Sequence, residues 1–582
     1  MRTHRILFAA LILAFALPAL PALASDAGQL REQDAARVHP SEPAYSPYAN
    51  RNFPNRPLFG DTHLHTSYSM DAGTSGTRLT ARDAYRFARG DQVTSNLGLP
   101  ARLSRPLDFL VVADHSDGFG FFPLLASGNP TIMADPQGKR WHDMLQSGQG
   151  MAAAMEIVTA FSAGKISEAI MPVPGTTSYR NAWTETIKAA EDYNEPGRFT
   201  AFIGYEWTSN TGANNLHRNV IFRGNADKAS QVEPYTTVKP LGSDNPVDLW
   251  KWMAMYEQKT GGNVLAIAHN GNLSNGRMFP TVETFGKKID RAYVEERIKW
   301  ERLYEVTQTK GTSEAHPILS PNDEFAGFEI WDKGNLNLSV AKTDDMLQYE
   351  YARAAYLNGL ALENKLGVNP YKFGLVGSSD AHTALSAMEE ENFFGKITPS
   401  EPSPERMSKP FFHDENTGLT VMDWQVSAAG YAAVWANENT REALWDAMER
   451  RETYATTGTR MIVRFFGGWD FAAEDALERL PAYVGYSKGV PMGGELSNAP
   501  DGKLPAVGST VDIGNATWAN TIGDPELIVV WSDPDFDADE RAFYYARVIE
   551  IPTPRWTAYD AKRLGVKPLE GTTMTLQERA YT

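Results

Sequence analysis

What most constrains this chain is a recurring pattern in which short apolar runs end, or in one case begin, at His, Asp or Glu. The first run opens LFGDTHLHTSYSMDAG, residues 58–73. Alternate side chains of a β-strand share a face, so Asp61, His63 and His65 project together. Two imidazoles spaced this way can grip one metal ion. PLDFLVVADHSD then runs into Asp114 and His115, FTAFIGYEWTSN ends at Glu206, and LHRNVIFRG begins at His217. GGNVLAIAHNGN ends in His269, and KFGLVGSSDAHT ends in the same-face pair Asp380 and His382.

Between these runs the period changes to that of helices. LTARDAYRFARG is a helix closed by Gly90, which makes the first step β-α-β and points to a parallel sheet. Residues 119–198 hold three helical stretches, too long for a crossover, and read as an inserted cap. The turn TGANN sets Glu206 and His217 face to face across a hairpin. PVDLWKWMAMYEQ is a helix, 281–311 is charged and helical, EFAGFEIWDKG is a strand through Glu329, and MLQYEYARAAYLNGLALEN is a long helix. NTREALWDAMERRETYATTGTRM reads as a helix capped at Asn439 or Thr440 and ended by Gly458. From 460 to 582 the pieces MIVRFFGGW, ELIVVW and AFYYARVIEI suggest a smaller β-rich accessory segment. Its acidic stretch Asp533-Pro-Asp535-Phe-Asp537-Ala-Asp539 lacks the Gly and the closing Glu of a calcium loop and reads as a solvated turn. The fold class is α/β, a barrel or related closure spanning 58–459. In such a fold the loops after the strands build the active site.

Composition narrows the chemistry. A chain of 582 residues exceeds one compact core. Its net charge of −17 opposes non-specific binding to nucleic acid or anionic lipid and suits a protein that holds cations. With no cysteine, disulfides and thiolate ligands are excluded, so any metal must be held by His, Asp and Glu. Six of the eleven histidines fall at the run ends, which leaves few for other roles. Residues 1–24 combine a basic start, an apolar run and Ala22-x-Ala24, the pattern of a cleaved signal peptide. That run is too short to span a bilayer. The expectation is a secreted, periplasmic protein without a stable membrane anchor, with 25–57 as an extended leader. The oligomeric state is left open.

GDTHLHTSYSMDAG, LDFLVVADHSD, FIGYEW, LAIAHN and GSSDAHT, in that order over about residues 58–397, resemble the polymerase-and-histidinol-phosphatase (PHP) superfamily of metallohydrolases. HRNVIF, RRETYATTGTR and QERAYT resemble a secreted branch of it known only as a domain of unknown function. The resemblance implies a distorted (β/α)7 barrel and two or three divalent ions. It also implies that His63, His65, Glu206 and Asp380 hold one ion, with Glu206 bridging to a second, and that His115, His269, His217 and His382 are the remaining histidine ligands. Where many members have a histidine after the opening pair, this chain has Asp71. Asp61 and Asp114 are expected to orient histidines from behind.

Mixed imidazole and carboxylate ligands suit Mn, Zn or Fe. Ions a few Å apart activate a bridging hydroxide and polarise a phosphoryl or carbonyl oxygen, so the expected reaction is hydrolysis without a Ser or Cys nucleophile. The first reading is a phosphoesterase acting on a small phosphate ester. Hydrolysis of a C–N or carboxylic ester bond and non-catalytic metal binding are the alternatives. No site strand in this reading ends in Lys, so the carbamylated lysine of amidohydrolases has no counterpart. Asn270 and Arg277, just past the His269 run, are candidates for substrate binding or for stabilising their loop. Arg218 alternates with His217 and reads as structural, Trp207 and Trp331 read as core, and Glu329 either faces the pocket or pairs with a base.

Overall fold

Runs buried on both faces supply the frame, and for that reason they are continuously apolar rather than alternating. The computed structural model describes residues 52–150, 152–153, 156–157, 160, 165–495, 509–533, 536–537 and 540–582. The expected signal peptide, the leader up to 51 and part of the 533–539 acidic stretch lie outside the described residues. β1 (Leu58–Leu64), β2 (Phe109–Val112), β3 (Thr200–Trp207), β4 (Arg218–Phe222), β5 (Val264–His269) and β6 (Leu303–Gln308) are buried at every position. With β7 (Gly311–Thr312), β8 (Gly374–Gly377), β9 (Ala432–Val434), β10 (Thr453–Thr456), β11 (Arg547–Ile549) and β12 (Arg579–Tyr581) they form one 12-stranded mixed sheet.

The strand order is β7-β6-β5-β4-β3-β2-β1-β9-β10-β12-β11, with β8 on the other edge of β6. Pairs β1/β2, β2/β3, β5/β6 and β6/β8 are parallel, while β4 is antiparallel to both β3 and β5. The sheet curls far enough for the chain just past β8 to meet β1 again through the parallel bridge Leu64↔Ala381. Asp380 N donates to His63 O at 2.7 Å and His65 N to Ala381 O at 2.9 Å across this seam. Inside the curl sits an apolar plug that includes Phe109, Val111, Phe202, Ile221, Leu265, Ile267, Leu303 and Val376. Gly60 makes room for it, because a Cβ there would lie 2.5 Å from the Phe109 ring.

Helices cover the outside. α1 (Ala81–Ala88) starts at a Thr80/Asp83 capping box, and α2 (Thr177–Tyr193) is capped by Thr176. α3 (Pro246–Thr260) has Asn245 as N-cap, Pro246 in its first turn and Gly261 at φ 63 as terminator. α4 (Arg291–Trp300), α5 (Ala352–Leu366), α6 (Arg441–Glu449) and α7 (Trp556–Leu564) complete the main set. Between β2 and β3, helices Phe121–Ala126, Pro130–Ala134 and Pro136–Gln146 pack around Phe121, Phe122 and Trp141. Among the described residues no helix is long and apolar enough to cross a membrane.

Several elements depart from the sequence reading. The charged 281–311 stretch is helical only over α4 and then turns into β6. EFAGFEIWDKG makes only isolated bridges, at Ile330 and Gly334, and Glu329 at φ 44 pairs with a base, Arg555, at 2.9 Å. The helix read through to Gly458 stops at Glu449, because Arg451 at φ 64 breaks it and the β-forming Thr453, Tyr454 and Thr456 become β10. Past 460, MIVRFFGGW keeps only Phe466–Gly467 as strand and ELIVVW keeps none. Leu527 and Val529 of the latter are 74% and 70% exposed, so an apolar run without a partner strand stays irregular. β11 and β12 instead extend the main sheet through β10. Arg406–Asp560, Arg547–Glu314 and Arg555–Glu329 pin this C-terminal stretch to the rest.

Candidate metal centre

The period-two rule carries each plug strand from apolar residue to polar tip on one face. Phe202 and Glu206 share the inner face of β3, Leu265, Ile267 and His269 that of β5, and Leu303 and Glu305 that of β6. His217, one residue before β4, lies on the face of Ile221. His63 and His65 arrive at the end of β1, where its register with β2 shifts between Asp61 and Leu64. Asp380 and His382 follow β8 across the seam, Asp380 at φ 49.

All nine residues expected as ligands converge. His63 Nε2 and His65 Nε2 lie 3.0 Å apart, and each is 3.4 Å from Asp380 Oδ1. Glu206 is the hub. Its Oε1 is 2.7 Å from His217 Nδ1 and 2.8 Å from His269 Nε2, and its Oε2 is 2.6 Å from His115 Nδ1 and 3.4 Å from His65 Nε2. Asp71 takes the place left by the missing histidine, its Oδ2 3.0 Å from His115 Nε2 and 3.3 Å from His382 Nδ1. Four overlapping groups could hold an ion: His65/Asp71/His115/His382, His63/His65/Glu206, His63/His269/Glu305 and His115/Glu206/His217. The base is dry, with His63 and His65 fully buried, while the Asp71 side chain is 40% exposed and marks the mouth.

The donor set fits divalent cations. His63 Nδ1 is held by Glu305 Oε2 at 3.0 Å and His65 Nδ1 by Ser69 Oγ at 2.6 Å, which leaves both Nε2 lone pairs aimed at one point. Among the described residues His217 Nε2 and His269 Nδ1 are buried without a hydrogen-bond partner, a costly state that a cation relieves. Burial, with the neighbouring His382, pushes His65 well below the usual imidazole range. Burial opposes charge on Glu206 too, but His115 and His217 hold it well below the carboxylate range.

A match to the model of the family described as "Protein of unknown function (DUF3604)" covers residues 52–507 and 497–582, nearly the whole chain. The chain belongs to the DUF3604 family. No curated protein matches it. A solved structure it resembles is a two-domain protein from Bacteroides vulgatus ATCC 8482 containing a predicted PHP-like metal-dependent phosphoesterase. That likeness has 11% identity, covers 72% of this chain and 73% of the other, and has a TM-score of 0.28, too loose to bear on fold or chemistry.

The residues around the DUF3604 cluster differ from expectation in three ways. Asp61 and Asp114 touch no imidazole ring. Asp61 accepts from His63 N, Ser379 Oγ and Ser386 Oγ and locks the seam, while Asp114 accepts from Thr66 N and Oγ1 and ties the loop after β1 to the end of β2. Burial lifts each to about 6. The rings are oriented instead by Glu305, Ser69 and Thr208, the last 2.7 Å from His115 Nδ1. Second, Lys310 just past β6 and Lys396 both bind Asp380, so a site strand does run into a lysine. A charged stretch masks that strand in the sequence; the Tyr304-Glu-Val-Thr307 run of β-formers is its signal. Third, Asn270 is buried at φ 50 with Oδ1 accepting from Gln308 Nε2 at 2.6 Å, whereas Arg277 is exposed and makes no side-chain hydrogen bond to the cluster. Arg218 pairs with Glu301 at 2.9 Å, and Trp207 and Trp331 are buried in apolar clusters.

Proposed function

We propose that this chain is a metal-dependent hydrolase, in the first place a phosphoesterase of PHP type acting on a small phosphate ester in the periplasm or outside the cell. The observation that carries the reading is the pair of His63 and His65 Nε2 atoms 3.0 Å apart, each ring fixed through its other nitrogen, with Asp380 Oδ1 3.4 Å from both and Glu206 Oε2 3.4 Å from His65. The ring of β1 to β6 and β8, closed at the Ala381 seam, supports a distorted (β/α)7 barrel. His63, His65, Glu206 and Asp380 would hold one of two or three Mn, Zn or Fe ions, with Glu206 shared. Asp71, His115, His217, His269 and His382 would complete the set. Bound ions of this kind activate water and polarise an ester oxygen. The protein's part is to keep the base dry, fix each imidazole tautomer and leave the Asp71 edge open to solvent.

The test is elemental analysis of purified protein followed by a panel of phosphate mono- and diesters with Mn or Zn. Phosphate release abolished by chelation and by His63→Ala is expected; turnover that survives chelation rejects the reading. Lys310 at the end of a site strand gives the C–N hydrolase reading a foothold. Against it, Lys310 is ion-paired with Asp380, and Glu206 already fills the shared position a carbamate would take. Release of amine instead of phosphate from mixed substrates would favour that alternative.

A further inference from the structure

Two buried lysines share one buried carboxylate at the edge of the cluster. Lys310 Nζ donates to Asp380 Oδ2, and Lys396 Nζ donates to Asp380 Oδ1 at 2.5 Å and to Asp380 O. Lys310 is 7% and Lys396 3% exposed. An ammonium has three donors. Among the described residues the two lysines meet no other acceptor, so Lys310 keeps two N–H groups and Lys396 one without a protein partner. Gln308 Nε2 also donates to Asp380 Oδ2, and His382 Nε2 is 3.2 Å from Oδ1, so that single carboxylate is oversubscribed. An ion between His63 and His65 would draw on the same Oδ1 and leave the ammonium pair with still less. Desolvated ammonium groups with spare donors are costly without an anion to meet them.

We propose that Lys310 and Lys396 form an anion seat on the Asp380 side of the metal centre, and that it takes the dianionic terminal phosphoryl group of a phosphate monoester. This rests on the hydrolase reading and narrows its substrate class. Ammonium groups act as point charges on phosphate oxygens, so two of them favour a dianion over the monoanion of a diester. Gln308, held by Asn270, keeps Asp380 in place between them.

The experiment uses metal-loaded full-length protein and measures binding of inorganic phosphate and of dimethyl phosphate by calorimetry, with metal content read in parallel. Wild type should bind phosphate at least about tenfold more tightly than dimethyl phosphate. Lys310→Met and Lys396→Met should each weaken phosphate about tenfold or more with metal content unchanged, and Lys310→Arg should keep most of the affinity even if Lys396→Met does not fold. Phosphate affinity indifferent to Lys310→Met overturns the seat. So does loss of metal in step with loss of phosphate, which would make the lysines tethers for Asp380. Lysine-dependent phosphate binding without turnover of any ester would leave the seat standing and the hydrolase reading fallen; ester turnover with lysine-independent phosphate binding would do the reverse.

Discussion

Glu305 sets how well the deepest part of the centre holds an ion. Both of its carboxylate oxygens face His63 Nδ1, at 3.2 and 3.0 Å, and both side chains are fully buried, so solvent does not dilute the interaction. The contact fixes the proton on Nδ1 and keeps Nε2 free and pointed at His65. Removing such a partner behind a metal-bound imidazole costs about 10- to 100-fold in metal affinity, or roughly 1.4 to 2.7 kcal/mol. Glu305→Gln keeps a carbonyl acceptor at the same reach and should fall near the tenfold end. Glu305→Leu leaves the Nδ1 proton unpaired in an apolar pocket and should fall near the hundredfold end. The assay is competition against a chromophoric chelator, with elemental analysis after dialysis. Affinity within about threefold of wild type in Glu305→Leu refutes the reasoning. Loss of a whole ion with both variants alike would instead make Glu305 a direct ligand, as its place beside His63 and His269 allows.

Burial lifts Asp423 from 3.8 to about 6, although Ser400 Oγ donates to it at 2.7 Å. A carboxyl whose folded pKa is raised binds more protons folded than unfolded between those values, so its ionised form costs up to about 3 kcal/mol above pH 6 and the cost fades as pH falls toward 4. Asp423→Asn should therefore melt higher than wild type at pH 8 and alongside it near pH 4; a Tm difference that does not change with pH speaks against this. Arg555, 1% exposed, meets Glu329 at 2.9 Å and the carbonyls of Trp424 and Val426. Arg555→Met leaves the partly buried Glu329 carboxylate with Ser427 Oγ alone and should cost up to about 3 kcal/mol, read as a fall in Tm with earlier proteolysis of the C-terminal stretch. An unchanged melt would show that the contact is idle. Gly60→Ala drives a methyl into Phe109 and should cost about 1–3 kcal/mol, measured by denaturant titration, with a wild-type midpoint as the contrary result.

The ligands are legible in the sequence for the same reason that the fold is. A strand buried on both faces must be apolar until it reaches the mouth of the curl, so its first polar residue announces itself; Glu206, His269, and the Asp114-His115 and Asp380-x-His382 tips all stand out in this way. The β-α-β rhythm over 58–115 and the hairpin between Glu206 and His217 follow from the same periodicity, and both are present. β6 escapes because its polar positions begin inside the strand: Glu305, Thr307 and Gln308 give LYEVTQ the look of a solvated edge following a charged helix. With that strand go Glu305, Gln308 and Lys310, which together orient His63 and surround Asp380.

Ligand and orienter therefore differ in what makes them visible. A ligand at a strand tip is marked by the apolar residues before it, whereas Ser69, Thr208 and Lys396 sit in loops where Ser, Thr and Lys are the expected composition and only a partner distinguishes them. The burial of a lysine is set by a carboxylate some 70 residues away in the chain in one case and 16 in the other, and no local pattern encodes that. Topology supplies what local pattern does not. The His269 strand and the Asp380 strand do not pair with each other; each pairs in parallel with β6, and a parallel ladder cannot cross an empty place, so closure of the sheet demands a strand between them. Polar residues on a strand that topology requires to be buried, as Glu305 and Gln308 are, have to find partners inside the curl, and the ligands are the polar groups waiting there.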